Sequence, residues 1–442
     1  MIDSLRRISA LLRDRQHQGA VDASLSSFGG LPAFGRFVKT EGVDAALRDV
    51  CAPLKLGRNV RYPMFDQARL LLDLLVIGGA RVFDLERCAH DPLLVECAGG
   101  ALCSLDTLYR DVGRFAPQSV DQLDAMVAGQ CLKELRSTKH ERVHLDIDPT
   151  VVPLEGLDIE GACKGYNPEK KGHPSHHPIV ARVAETDMFV GFKLRPGNTT
   201  FGAAEAPLVR RWIQRVREAV GGRCLLYVRI DKAGHCGEIL KAIVEEKALF
   251  LIKGRLDVEI QQALGSVEWK TTDEDADGQA LEQVAELRWT CGEWTRLGLE
   301  PVRLIAVRSR KRQGGKKLWP DDDDMTVQVL LTNDETSEAA DLVEEYDERA
   351  GIEPLIGEMK QSWGLGQVSS KSFLANEAML ALKLLGHNVL RRMARQLAHE
   401  AARRWNSSWL RSLLIVRPAR LVRSGRKLLV RLGPGPELVP RE

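Results

Sequence analysis

Two acidic residues close runs of strand-forming residues, Asp148 at the end of RVHLDID and Asp231 after LLYVRI. A third, Glu353, lies in a helical stretch far downstream. Carboxylates carried by two strand ends and a helix can converge over the edge of one sheet. An all-oxygen donor set of this kind suits Mg²⁺, with Mn²⁺ as a substitute, better than zinc. Two such ions ~3.5–4 Å apart would activate a nucleophilic oxygen and stabilise the leaving oxygen of a phosphodiester. Around Glu353 runs the pattern Tyr346-x2-Arg349-x3-Glu353-x6-Lys360. At ~100° per residue these positions fall in one sector of a helix about 60° wide. Arg349 and Lys360 would then meet phosphates while Glu353 meets metal. Asp146 shares a strand face with Asp148, so alternation alone leaves the choice between them open. Pro354 lacks the N–H a helix interior needs, so a break is expected there, with Tyr346 and Arg349 on one piece and Glu353 and Lys360 on the other.

These residues need a scaffold. Residues 1–137 read as a helical domain: apolar residues recur at helical spacing in Phe65–Ile77, Ser104–Phe115 and Ser119–Leu135. Arg69, Arg81, Arg87, Arg110 and Arg114 make it a candidate DNA-binding domain. Residues 138–253 read as the first part of a mixed α/β core. Strands are expected at 142–148, 178–184, 188–194, 224–230 and 248–252, with helices at 206–220 and 239–246. Residues 254–332 lose the helical period and break into short β-prone pieces such as VRLIAV and MTVQVLL, a β-rich insertion. Residues 333–372 return to the core with Glu353, and 373–442 form a helical, basic C-terminal region.

The 63 basic and 61 acidic residues nearly cancel, leaving +2, but they are unevenly placed. Between Arg391 and Arg431 stand Arg391, Arg392, Arg395, Arg403, Arg404, Arg411, Arg417, Arg420, Arg423, Arg426, Lys427 and Arg431, against Glu400 alone, a polyanion-binding candidate. The run Asp321–Asp324 reads as a solvated loop. No apolar run reaches the ~20 residues a membrane span needs, and the start has no secretory apolar core, so a cytoplasmic location is expected. Nine cysteines without CxxC spacing indicate neither a zinc ribbon nor a disulfide framework. KGHPSHHP, with His173, His176 and His177, lacks the HExxH pattern of zinc proteases. His235, four residues past Asp231, is a candidate near-site residue. Trp294, after the turn Cys291-Gly292-Glu293, is a candidate for stacking on an extruded base.

The segment YDERAGIEPLIGEMK resembles the Y-R-E-K signature of the DDE transposases of bacterial insertion sequences. Upstream, HLDIDPTVVPLEG, GYNPEKKGHPSHHPIVA, LRPGNT and VRIDKAG follow in that family's order, closest to the subgroup with a GYNP-type segment after the first acid. The resemblance implies a ribonuclease-H-like core with a β-rich insertion before the third acid. It makes Asp148, in its Asp-x-Thr setting, the first metal-binding acid, Asp231 the second and Glu353 the third, with Tyr346, Arg349 and Lys360 holding the cleaved strand. The implied activity is binding of terminal inverted repeats, Mg²⁺-dependent strand cleavage and transfer of the freed 3′ hydroxyl to target DNA. A homodimer would hold the two element ends. Two other readings are an inactive transposase-derived DNA-binding protein and a nuclease of the same core without strand transfer.

Overall fold

The computed structural model describes residues 22–168, 170–310, 325–398, 400–425 and 427–433. Among the described residues seven helices precede the central sheet, the five longest being α1 (Leu31–Thr40), α2 (Val43–Cys51), α3 (Met64–Val76), α4 (Leu105–Val112) and α5 (Pro117–Leu135). Then come β1 (Arg142–Pro149), β2 (Ile179–Val183), β3 (Met188–Lys193), α6 (Ala206–Val220), β4 (Leu225–Ile230), α7 (Gly237–Glu245) and β5 (Leu249–Lys253). Four further strands follow: β6 (Lys270–Glu274), β7 (Ala280–Trp289), β8 (Val302–Ser309) and β9 (Thr326–Thr332). The late segment holds α8 (Ala339–Asp347), α9 (Ile352–Ser362), α10 (Phe373–Leu397) and α11 (Ser407–Leu414), then β10 (Ala419–Ser424) and β11 (Lys427–Leu432).

Among the described residues, nine strands form one mixed sheet in the order β6-β7-β8-β9-β5-β4-β1-β2-β3. β1, β4 and β5 are mutually parallel, and every other pairing is antiparallel. The segment expected to be a β-rich insertion therefore lengthens the central sheet, because β9 pairs with β5 through Leu331 and Ile252. It also carries two short helices, Val258–Leu264 and Gly292–Arg296, whose few apolar positions are too short a run to show a helical period.

Strand alternation decides what each face of this sheet meets. Val143, Leu145, Ile147, Val228, Ile230, Phe250 and Ile252 pack under α6 and α7 in one apolar core. The other face, with Tyr227 and Leu251, is covered by Leu342 and Val343 of α8. The leading helices share a core with α9 and α10 and with Val180 and Phe189 of the sheet, so the described residues of the leading segment, 22–137, do not bury a core of their own. The reason lies in α10, where every residue from Ala375 to Ala394 is buried and the helix needs cover on all sides. No described helix is long and apolar enough to cross a membrane.

The basic C-terminal region is not helical throughout. After α11 the chain turns into the antiparallel hairpin of β10 and β11, joined by Leu25–Ser26 as a third strand. Nor are all its cations surface groups. Arg391, Arg392 and Arg411 are buried. Arg391 pairs with Glu358 at 3.3 Å, Arg392 with Glu41, and Arg411 donates to the carbonyls of Leu75 and Val76 at the end of α3, at 2.9 and 3.0 Å. Their partners lie far away in sequence, so a charge count along the segment does not see them. Arg420, Arg423 and Arg431 are exposed on the hairpin. Arg426, the side chains of Arg403 and Lys427, and the run Asp321–Asp324 lie outside the described residues.

Gly191 of β3 is a close-approach site: a Cβ there would stand 1.8 Å from Nε1 of the buried Trp212 on α6. Gly191→Ala is expected to cost about 1–3 kcal/mol by forcing the sheet and α6 apart. Denaturant unfolding of the two proteins measures it directly.

Candidate active site

β1 is built by alternation. Its core-facing residues, Val143, Leu145 and Ile147, are fully buried, while Arg142, His144, Asp146 and Asp148 project from the opposite face. Arg142, His144 and Asp148 bind the chain that passes above, and Asp146 binds arginines of the neighbouring strands. Arg142 donates to Glu345 of α8 at 2.7 Å, and His144 joins Glu345 and Glu185. Burial works against a charge on His144, but its hydrogen bonds to the two glutamates raise its pKa overall.

Asp146 sits between two arginines. Across the register it faces Arg182 on β2 and Arg229 on β4. It has no exposed surface, and Arg229 grips both its oxygens, Nε to Oδ1 at 2.6 Å and Nη2 to Oδ2 at 3.0 Å. The remaining Arg229 nitrogen donates to the Glu345 carbonyl at 2.6 Å, near the carbonyl end of α8, where a cation is favoured. Both oxygens of Asp146 are thus occupied by Arg229. Arg229 was a missed residue: it precedes Asp231 by two and so shares its face, the one signal in the sequence that could have found it.

Asp148 lies two residues further, at the sheet's edge. Ile147 is level with Ile230, and Ile230 with Ile252. One step on, Asp148, Asp231 and Lys253 stand in one row at the carboxyl ends of three adjacent parallel strands, Asp148 one residue before β1 ends and Asp231 one residue after β4 ends. Asp231 also caps the following turn, accepting the Ala233 N–H at 2.9 Å. Arg349 donates to Asp148 Oδ1. Burial pushes the Asp148 carboxyl up to about 6; Arg349 opposes this, while the charges of Asp231 and Glu353 reinforce it. Asp148 thus lies in the field of both other acids.

The signature segment is divided. Tyr346 is in the last turn of α8, Arg349 in a 3-10 turn spanning Glu348–Gly351, and Glu353 and Lys360 on α9. Pro354 stands in the first turn of α9, where its missing N–H has no helical partner to lose. The break expected at Pro354 therefore falls just before it, and the single helical face over all four residues does not form. Tyr346 Oη reaches the Ile230 carbonyl at 3.5 Å, and burial raises the phenol's pKa. Arg349 is 5% exposed, and its Nε has no partner among the described residues. Glu353 and Lys360, seven residues apart, share one face of α9 about 10 Å apart along its axis.

Trp294 does not belong to this site. It is 2% exposed, inside the core beneath α7, with its ring 5.3 Å from that of His235, and cannot stack on a base from there. A lone Trp after a turn carries no sign of whether its ring faces in or out. His235 accepts the Arg255 N–H at 2.7 Å, and burial lowers it to about 4, a neutral packing residue. His176 and His177 each donate to a backbone carbonyl, of Glu160 at 2.9 Å and Thr199 at 3.1 Å. Among the described residues no three His, Cys, Asp or Glu side chains are gathered tightly enough to hold a metal ion as they stand.

The profile of the family described as transposase DDE domain group 1 matches residues 16–435. The chain belongs to this family. Among solved structures it is similar to the piggyBac transposase synaptic complex with hairpin DNA, at 13% identity and a TM-score of 0.42, over 86% of this chain and 78% of that one. No curated protein matches.

Two carboxylates on one strand should then behave in opposite ways. Asp146→Ala leaves Arg229 buried without its partner and is expected to cost about 3–5 kcal/mol of unfolding free energy. Asp148 has a folded-state pKa of about 6, above its unfolded value. Its contribution to stability is present below pH ~4 and lost as pH rises through about 6. Melting without divalent ions should therefore show stability falling over that window in wild type, and a flatter profile in Asp148→Asn.

Proposed function

We propose that the chain is an active DDE transposase of the Y-R-E-K subgroup, with a ribonuclease-H-like core, in which Asp148, Asp231 and Glu353 hold divalent ions. The observation that carries the reading is the row of Asp148 and Asp231 at the ends of adjacent parallel strands, with Glu353 in the same field. The donor set fits Mg²⁺ or Mn²⁺: it is all oxygen, and Asp148 is raised by burial and further by the charges of its two acidic neighbours, as expected where a cation is wanted. When bound, the ions supply a Lewis acid for the phosphodiester and a lowered pKa for the attacking hydroxyl.

The chain's own residues do the rest. Arg349, now on Asp148, has a free Nε to turn toward a DNA phosphate. Lys360 lies about two turns along the same face of α9 from Glu353, a separation that suits a neighbouring phosphate rather than the one being cut. In the first reaction a water oxygen bonds to phosphorus, the bond from phosphorus to the 3′ oxygen breaks, and one water proton ends on that oxygen. In the second the freed 3′ oxygen bonds to a target phosphorus as the target's own 3′ oxygen leaves. We further propose that residues 1–137 and the exposed arginines of the β10–β11 hairpin contact double-stranded DNA, and that two copies act on paired element ends.

The test is excision from a supercoiled plasmid carrying the coding region with its flanking DNA, in Mg²⁺. Wild type is expected to release the segment, and Asp148→Ala, Asp231→Ala and Glu353→Ala each to bind the ends without cutting. A wild type that binds the ends and never cuts them would establish a DNA-binding protein instead, and cutting without joining to target would establish a nuclease.

A further inference from the structure

Sequence patterns pointed to acids and to the signature helix, and neither singles out Lys253. It is the last residue of β5, level with Asp231 on β4, which is itself level with Asp148 on β1. It also shares their face, because Leu251, two residues before it, packs with Tyr227 and Tyr346 on the side covered by α8. Its backbone is tied from both directions. Lys253 pairs with Leu330 of β9, and the next N–H, of Gly254, donates to the Val329 carbonyl at 2.7 Å. Gly254 allows that approach, since a Cβ there would stand 2.6 Å from the Val329 side chain. The side chain therefore starts from a fixed point in the row of acids rather than from a loop.

What surrounds the ammonium is unusual for a lysine. Lys253 is half-buried and, among the described residues, its ammonium makes no hydrogen bond or ion pair. Its surroundings are mixed: Lys232 and Arg349 repel it, and Asp347 and Asp231 attract it. A partly desolvated cation without a fixed partner, beside carboxylates that would be neutralised by divalent ions, is available to an anion arriving from outside. Resting on the transposase reading, we propose that Lys253 is a catalytic residue whose ammonium contacts a non-bridging oxygen of the DNA phosphate being cut. It would stabilise charge that grows on that oxygen as the new bond to phosphorus forms, and would take no part in proton transfer.

The experiment uses the full chain, the same plasmid and Mg²⁺, with Lys253→Met, Lys253→Arg and Asp231→Asn beside wild type. Lys253→Met is expected to lower the rate of the first cut ~100-fold, with gel-shift binding of the flanking DNA unchanged. Lys253→Arg, which keeps the charge, recovers most of that loss. A second readout needs neither variant nor turnover: amine-reactive footprinting of wild type, in which Lys253 is modified in the free protein and protected when the flanking DNA is added in Ca²⁺. Lys253→Met that cuts like wild type overturns the inference, as does loss of binding in step with loss of cutting, or equal Lys253 modification with and without DNA. If wild type itself does not cut, the transposase reading falls and this role falls with it. If wild type cuts, Asp231→Asn does not and Lys253→Met does, only the Lys253 assignment is lost.

Discussion

The site depends on a row of three charges that cannot take part in chemistry. Arg182, Asp146 and Arg229 stand level on β2, β1 and β4, all buried. A buried ion pair adds little net stability over apolar residues of the same size, because desolvation offsets the attraction. Its effect here is positional. With two nitrogens of Arg229 spent on Asp146, the third is directed at one carbonyl, that of Glu345. That contact settles where α8 ends above the sheet. The end of α8 in turn sets Tyr346 over the Ile230 carbonyl and the next turn's Arg349 on Asp148. Two residues further along each strand, the same alternation that buries Asp146 leaves Asp148 and Asp231 at the rim.

This explains why two aspartates so alike in sequence have different surroundings. Position along the strand decides: three residues from the end, a carboxylate is enclosed by neighbours on both sides, and at the end it faces the gap left where the strands stop. The site thus sits at the carboxyl ends of parallel strands, where side chains leave the sheet without a covering element.

Much of this was legible from residue order. Alternation in RVHLDID assigned the faces of β1, and the expected strands and helices of the core lie within a few residues of those observed. What could not be read was anything set by partners distant in sequence. The signature residues suggested one helix because their spacing is helical, yet Gly351 and Pro354 permit a turn and a restart, and the residues meet through the sheet instead. The β-rich stretch looked separate because its connection to β5 is a hydrogen-bonded register between Leu331 and Ile252, which no local pattern encodes. The C-terminal arginines looked like one basic surface, while Glu41, Glu134 and Glu358, which neutralise several of them, are scattered through the chain.

The division of the arginines bears on how a nearly neutral protein can handle a polyanion. Arg391, Arg392, Arg395 and Arg411 act inside the fold, joining α10 and α11 to α3, α5, α9 and the turn after α1. Cations spent this way release no counterions from DNA. The cations that can do so are the exposed ones, and on the hairpin Arg420 stands directly opposite Arg431. Like charges so placed repel, and Asp22 relieves only Arg420, at 3.1 Å. A strand pair that keeps such a repulsion in the free protein gains when an anion settles between the two guanidiniums, so the hairpin's electrostatics favour an anion even though the net charge of the chain does not.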